Sequence, residues 1–244
     1  MRSPIRALAP VVLLLALSLA APVSAEEPDS PSVIPPDVGP IEHRTYAEWS
    51  AEWWRQGFAL PRASSPFLEE GRANCGLGED DVRFLYGTFT TATQPSGDVV
   101  GVARRRCTIE EDTRLFLPSL NGECSTAEGD GTTEAELRAC AAAQGDFIAG
   151  GERRLTVDGV ELRTYRVASP LFTFDLPPDN ILGLAPQRSP SVADGFFAML
   201  DDLEERRRPY VVEFGGSLTI PASPPNAAFT FTTRVTYRIT VRDD

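Results

Sequence analysis

The run at 229–242 constrains the fold more than any other part of the chain. Phe229, Phe231, Val235, Tyr237, Ile239 and Val241 occupy odd positions; Thr230, Thr232, Arg234, Thr236, Arg238, Thr240 and Arg242 occupy even ones. Successive side chains of a strand point to opposite faces, so this alternation predicts a strand with one dry and one wet face, as in an antiparallel sheet.

Other segments extend the β pattern. Residues 82–90 are β-branched and aromatic, and 105–110 and 113–118 flank a Glu111-Asp112 turn as a predicted hairpin. Asp158-Gly159 separates two short runs, 154–157 and 160–163, which is the strongest short hairpin signal in the chain. Residues 169–176 and 210–214 read as further strands, whereas Phe196, Phe197, Met199 and Leu200 within 192–203 fit a helix or a strand. Roughly eight strands with regular turn signals predict an all-β, antiparallel sandwich or jelly-roll-like fold.

Two helices are expected beside the sheets. Thr45 and Glu48 form a capping-box pattern opening a helix over 46–58, and Thr133 and Glu136 form a second, opening a helix to about 144. Tyr46, Trp49, Trp53, Trp54 and Phe58 fall along one face of the first. Three tryptophans so close fit either a sugar-stacking platform, with Trp54 as its candidate, or a stripe packed on the sheet. A helical stripe favours packing.

Residues 1–25 have the parts of a signal peptide: Arg2 and Arg6, an apolar run from Val11 to Ala20, and small residues at Val23-Ser24-Ala25. The apolar run is about half the length that a membrane span needs, so cleavage after Ala25 is expected, with no stable membrane insertion. Residues 26–44, rich in Pro and acids at their start, read as a disordered or extended lead-in, and 45–244 as a single β-rich domain. The expected location is secreted, periplasmic or cell-surface.

Export decides how the four cysteines are read. Cys75, Cys107, Cys124 and Cys140 form an even set in an exported chain, which predicts two disulfides. Three pairings are possible; Cys75 with Cys107 and Cys124 with Cys140 are favoured because each closes a local loop. Spacings of 32, 17 and 16, with His43 the single histidine, do not suit zinc.

Composition narrows the chemistry further. The full chain carries a net charge of −12, and removing the leader's two arginines makes it −14. So acidic a surface repels nucleic acid and anionic membranes. A lone histidine in the lead-in, with no GxSxG motif, leaves no triad hydrolase. No phosphate loop is present, and no cofactor or metal is expected. Paired carboxylates remain as a catalytic route, with Glu123 the candidate because Asn121-Gly122-Glu123-Cys124 follows an apolar strand and is pinned by an expected disulfide. Asn121 and Glu123 are for the same reason candidate binding residues. Glu128, Asp130 and Glu134 offer oxygens to calcium, without the EF-hand spacing. Arg104-Arg105-Arg106 and Arg206-Arg207-Arg208 read as solvated strand edges, or as an anion pocket if the fold brings them together.

The run Tyr46-Ala47-Glu48-Trp49-Ser50-Ala51-Glu52-Trp53-Trp54, with Ala73-Asn74-Cys75, Arg106-Cys107-Thr108, Phe116-Leu117-Pro118, Asn121-Gly122-Glu123-Cys124, the SPLFTF run at 169–174 and the SVADG run at 191–195, resembles an uncharacterised group of secreted bacterial proteins. The likeness spans most of 45–241. It implies bacterial export and local cysteine pairing, and carries no activity. The expected function is a non-catalytic extracellular domain binding a ligand, a glycan or another protein; the alternative is a carboxylate-based hydrolase acting on carbohydrate.

Overall fold

The computed structural model describes residues 31–222 and 227–243. The leader read over 1–25 and the first residues of the lead-in, 26–30, lie outside them. The chain runs through β1 (Ser32–Ile34), α1 (Tyr46–Phe58), β2 (Gly71–Arg72), β3 (Gly78–Glu79), β4 (Val82–Phe84), β5 (Thr91–Thr93), β6 (Val99–Glu110) and β7 (Arg114–Ser125). It continues through α2 (Glu134–Ala149), β8 (Glu152–Val157), β9 (Val160–Glu161), β10 (Tyr165–Ala168), β11 (Phe172–Leu176), β12 (Gln187–Asp201), β13 (Tyr210–Ile220) and β14 (Phe229–Arg242).

The strands form two stacked sheets, an all-β, sandwich-like fold. The first has the order β1-β12-β7-β4-β3, with β10 and β11 also on the β1 side of β12; the second has the order β2-β6-β14-β13-β8-β9, with β5 also on β6. Leu117, Leu200, Val212, Tyr237 and Ile239 are among the residues that fill the space between them. On the other side of the first sheet, α1 lays its tryptophans and Phe58 onto Phe84, Phe116, Phe174 and Phe197. The layers are therefore helix, sheet, sheet, and the outer face of the second sheet meets water.

This layering explains what the sequence pattern showed and hid. β14 is covered on one face only, so its odd residues from 233 to 241 are buried, Phe229 and Phe231 are half-buried, and Arg234, Arg238 and Arg242 are exposed. β12 is covered on both: Phe197 and Met199 face α1, while Ala198 and Leu200 face the second sheet. A strand buried on both faces has no alternation, which is why 192–203 fitted either element.

Strand directions and partners differ in part from the expected antiparallel sandwich or jelly roll. β14 runs parallel to β6 over residues 231–242, β4 parallel to β7, and β2 parallel to β6. Alternation reports a dry and a wet face and is silent on a neighbour's direction. The predicted hairpin about Glu111-Asp112 is a crossing between sheets, because β6 belongs to the second and β7 to the first. Local turn chemistry reverses the chain equally well in either case. The Asp158-Gly159 hairpin does form, pairing Val157 with Val160. Both turn residues have positive φ, 51° and 86°, as a two-residue type I′ turn requires.

Both helices start at the expected caps. Glu48 N–H donates to Thr45 Oγ1 and Thr45 N–H donates to Glu48 Oε2; Thr133 and Glu136 repeat the exchange. In α1 two polar tips of the aromatic stripe are also satisfied: Trp49 Nε1 donates to the Ile41 carbonyl and Trp53 Nε1 to the Leu85 carbonyl, each at 3.0 Å, whereas the buried Trp54 Nε1 has no partner among the described residues. Burying each such large side chain contributes about 1.5–3 kcal/mol. The lead-in is tied down at Ser32–Ile34, which pairs with β12, and Ile41 is buried.

α2 extends to Ala149, past the end expected near 144, because Gly145 is a contact point. A Cβ there would lie 2.4 Å from Asp194 Cγ and 2.6 Å from Arg166 Nη2. The bare backbone lets the helix rest on the Asp194–Arg166 pair, and Arg166 also reaches Asp146 of the helix at 2.7 Å. The disulfides join Cys75 to Cys107 and Cys124 to Cys140. The second fastens α2 to the end of β7.

Candidate functional site

Glu123 lies near the end of β7, opposite Ala193 of β12. It is only 8 % exposed. Ser191 Oγ donates to its Oε2, and its carboxyl shares a hydrogen bond with Glu128. Burial first, and then the Glu128 carboxylate, push Glu123 well above the ordinary carboxylate range; the Ser191 hydrogen bond opposes them. Glycoside hydrolysis needs a second, ionised carboxylate facing the acid across an open cleft, whereas the Glu123 side chain is buried against β12. Glu123 is thus held as a neutral acid inside a turn.

The turn itself explains the other acids. Ser125 Oγ donates to Glu128 Oε2 at 3.1 Å, and Ser125 N–H donates to Asp130 Oδ2 at 2.9 Å. Glu134 instead pairs with Arg138 on α2. The three oxygens considered for calcium each have a protein partner. Asp130 also lies beside Cys124 and Cys140, whose sulfurs are bonded to each other and are not thiolate ligands.

Trp54 and Asn121 are placed differently. Trp54 is 4 % exposed and meets Trp53, Phe58 and Phe67 at ring-centroid distances of 4.9, 5.0 and 5.8 Å. Asn121 is half-buried opposite Gly195, and its Nδ2 has no hydrogen-bond partner among the described residues. The structure brings Asn121 and Glu123 onto one strand end, with Trp54 in the helix-side core.

Two concave surfaces lie elsewhere, on the second sheet. A groove of about 770 Å³ runs along the edge formed by β2, β6 and β14, beside the Cys75–Cys107 disulfide. Parallel register sets its floor: Arg72 is the partner of Arg106, and Arg106 is the partner of Arg238. All three are exposed. Two residues further along, Thr108 is the partner of Thr240. A second groove, of about 510 Å³, lies where Gly215 and Gly216 leave a trough between Arg154 and Arg234.

The arginine row has a distinctive electrostatic setting. Among the described residues, no carboxylate lies within 4.0 Å of Arg72, Arg106 or Arg238. Neighbouring strands are about 4.8 Å apart, and like charges directly opposite one another on adjacent strands are destabilising. Glu69, which also borders the groove, is turned to the backbone: its carboxylate accepts Asn74 N–H at 3.1 and 3.2 Å. Burial raises its pKa, while the Asn74 hydrogen bond and Arg105 hold it down.

The Arg104-Arg105-Arg106 cluster is split by the strand rather than wholly solvated. Arg104 and Arg106 face water, whereas Arg105 points between the sheets and is 2 % exposed. There it donates to the Tyr86, Gly87 and Glu69 carbonyls and to the Tyr237 hydroxyl. Arg206 of the other cluster pairs with Asp158, and that cluster does not enter the groove. Arg72 and Arg238 were missed from sequence. Arg238 was visible on the wet face of 229–242, but Arg72 carries no local signal, and parallel pairing alone unites them. Ser191, the partner of Glu123, was equally silent.

Comparison of the chain with protein-family profiles, with curated proteins and with solved structures finds no match.

Proposed function

We propose that the chain is an exported, non-catalytic binding domain whose ligand docks on the outer face of the second sheet. The observation that carries this reading is the row of Arg72, Arg106 and Arg238, exposed along a groove without carboxylate partners. The formed disulfides support work in an oxidising compartment. Among the described residues no helix is long and apolar enough to cross a membrane. The leader and the likeness to secreted bacterial proteins support export, with a mature chain beginning at Glu26. The buried, hydrogen-bonded state of Glu123 supports a binding role over a hydrolytic one.

A glycan array carrying neutral and acidic sugars, probed with the wild-type protein and Arg106→Gln, tests the reading. Binding weakened by Arg106→Gln is the expected result. Binding indifferent to that change, or turnover of an arrayed glycan abolished by Glu123→Gln, refutes it.

A further inference from the structure

We propose that the row of Arg72, Arg106 and Arg238 binds an acidic polysaccharide, a sugar polymer carrying carboxylate or sulfate groups. The inference rests on the outer face of the second sheet being the binding face, and adds the chemistry of what it binds. The three arginines stand on adjacent strands that together span roughly 10 Å, held in register by β2, β6 and β14. Their mutual repulsion is relieved by anionic groups brought by a partner. A guanidinium offers a planar fork of donors that matches the two oxygens of a carboxylate or the face of a sulfate.

The surroundings of the row select among polyanions. Thr108 and Thr240 form a second row two residues along, and Asn74 borders the same groove. These groups exchange hydrogen bonds with sugar hydroxyls lying between the anionic substituents. The lining contains no aromatic side chain, so nothing there stacks a nucleobase, and single-stranded nucleic acid depends on such platforms. It also offers no large apolar pocket to anchor a peptide side chain or a lipid. The chain as a whole carries a charge of −12, which opposes a broad polyanionic surface and admits a narrow chain laid along the groove.

Isothermal titration with polygalacturonate and with dextran sulfate tests the carboxylate and sulfate forms of the ligand. Neutral dextran and a single-stranded DNA oligomer serve as the other arms. At least one acidic polymer is expected to bind, more weakly as salt is raised. The triple variant Arg72→Gln, Arg106→Gln, Arg238→Gln should lose at least about 100-fold in affinity, since each charge-assisted contact is worth on the order of tenfold. Arg138→Gln, which removes one arginine charge from α2, should stay within about twofold of wild type. The corresponding triple lysine variant keeps the charge without the fork and should fall between, which separates recognition from misfolding. Failure of both acidic polymers to bind the wild type refutes the ligand class and leaves the face open to another ligand. Binding that survives the glutamine triple refutes the face itself. DNA or neutral dextran binding as tightly as the acidic polymers overturns the polysaccharide assignment.

Discussion

Replacing Glu123 by glutamine removes one titrating proton from the interior and leaves the shape of the side chain intact. The glutamine carbonyl can accept from Ser191, and its amide can donate to Glu128, so both contacts of the native carboxyl persist. In the unfolded chain a glutamate ionises near pH 4.3. In the native protein, burial and the Glu128 carboxylate keep Glu123 protonated well above that value. The folded state therefore binds a proton that the unfolded state has released. Its stability is fully present below about pH 4 and declines as pH rises toward the folded pKa, by about 1.4 kcal/mol per pH unit for one proton. Between pH 5 and pH 7 the wild type should lose about 2.7 kcal/mol relative to Glu123→Gln. The slope depends on the number of protons and not on the size of the shift, so partial wetting of the site through the exposed Glu128 moves only the upper end of the window. Urea unfolding of both proteins at pH 5, 6 and 7 measures this, and the remaining carboxylates cancel in the difference. Parallel stability curves, or a wild type that gains on the variant as pH rises, would show Glu123 ionised in the fold and refute the reasoning.

Three further outcomes follow from the packing. Trp54→Ala should cost about 3–5 kcal/mol in chemical denaturation, because the ring is enclosed by Trp53, Phe58 and Phe67; a small loss with selective loss of glycan binding would instead make Trp54 a binding residue. Cys124→Ser with Cys140→Ser opens a loop with a sequence separation of 16 and should cost about 3 kcal/mol, with amide exchange accelerating first in α2. Gly145→Ala gains about 1 kcal/mol of helix propensity but places a Cβ 2.4 Å from Asp194 Cγ. Disturbing that ion pair, whose Asp194 side chain is 5 % exposed, outweighs the gain, so a net loss of about 2 kcal/mol or more is expected in thermal or urea unfolding.

What could be read from sequence was whatever depends on a few neighbouring residues or on one dry face. The caps at Thr45 and Thr133 and the Asp158-Gly159 turn belong to the first kind, and β14 to the second. Cysteine pairing was legible because each bridge is local. β12 was ambiguous because two layers bury it, which erases the period that identifies a strand. The Glu111-Asp112 reversal shows the same limit for topology, since a turn does not declare whether its second arm returns to the same sheet. The candidate site was the least legible part. Glu123 was singled out as a carboxylate on a rigid loop at a strand end, yet its neutral, interior state depends on Ser191 and Glu128, and only the first comes from a distant strand. The arginine row joins residues from three separate regions of the chain, and nothing short of the strand register assembles it.

The parallel pairing of β6 with β14 has a consequence for how the protein is made. Val99 lies beside Phe231, more than half the chain away, and β14 stands between β6 and β13. Until residues 229–242 are delivered, β6 and β13 have no common neighbour, and the second sheet exists only as separate pieces with an unclosed apolar face. Pairings between segments so far apart in sequence make folding slow. The strand that closes the second sheet is therefore also the one that sets Arg238 beside Arg106, so the arginine row exists only once the sheet is closed.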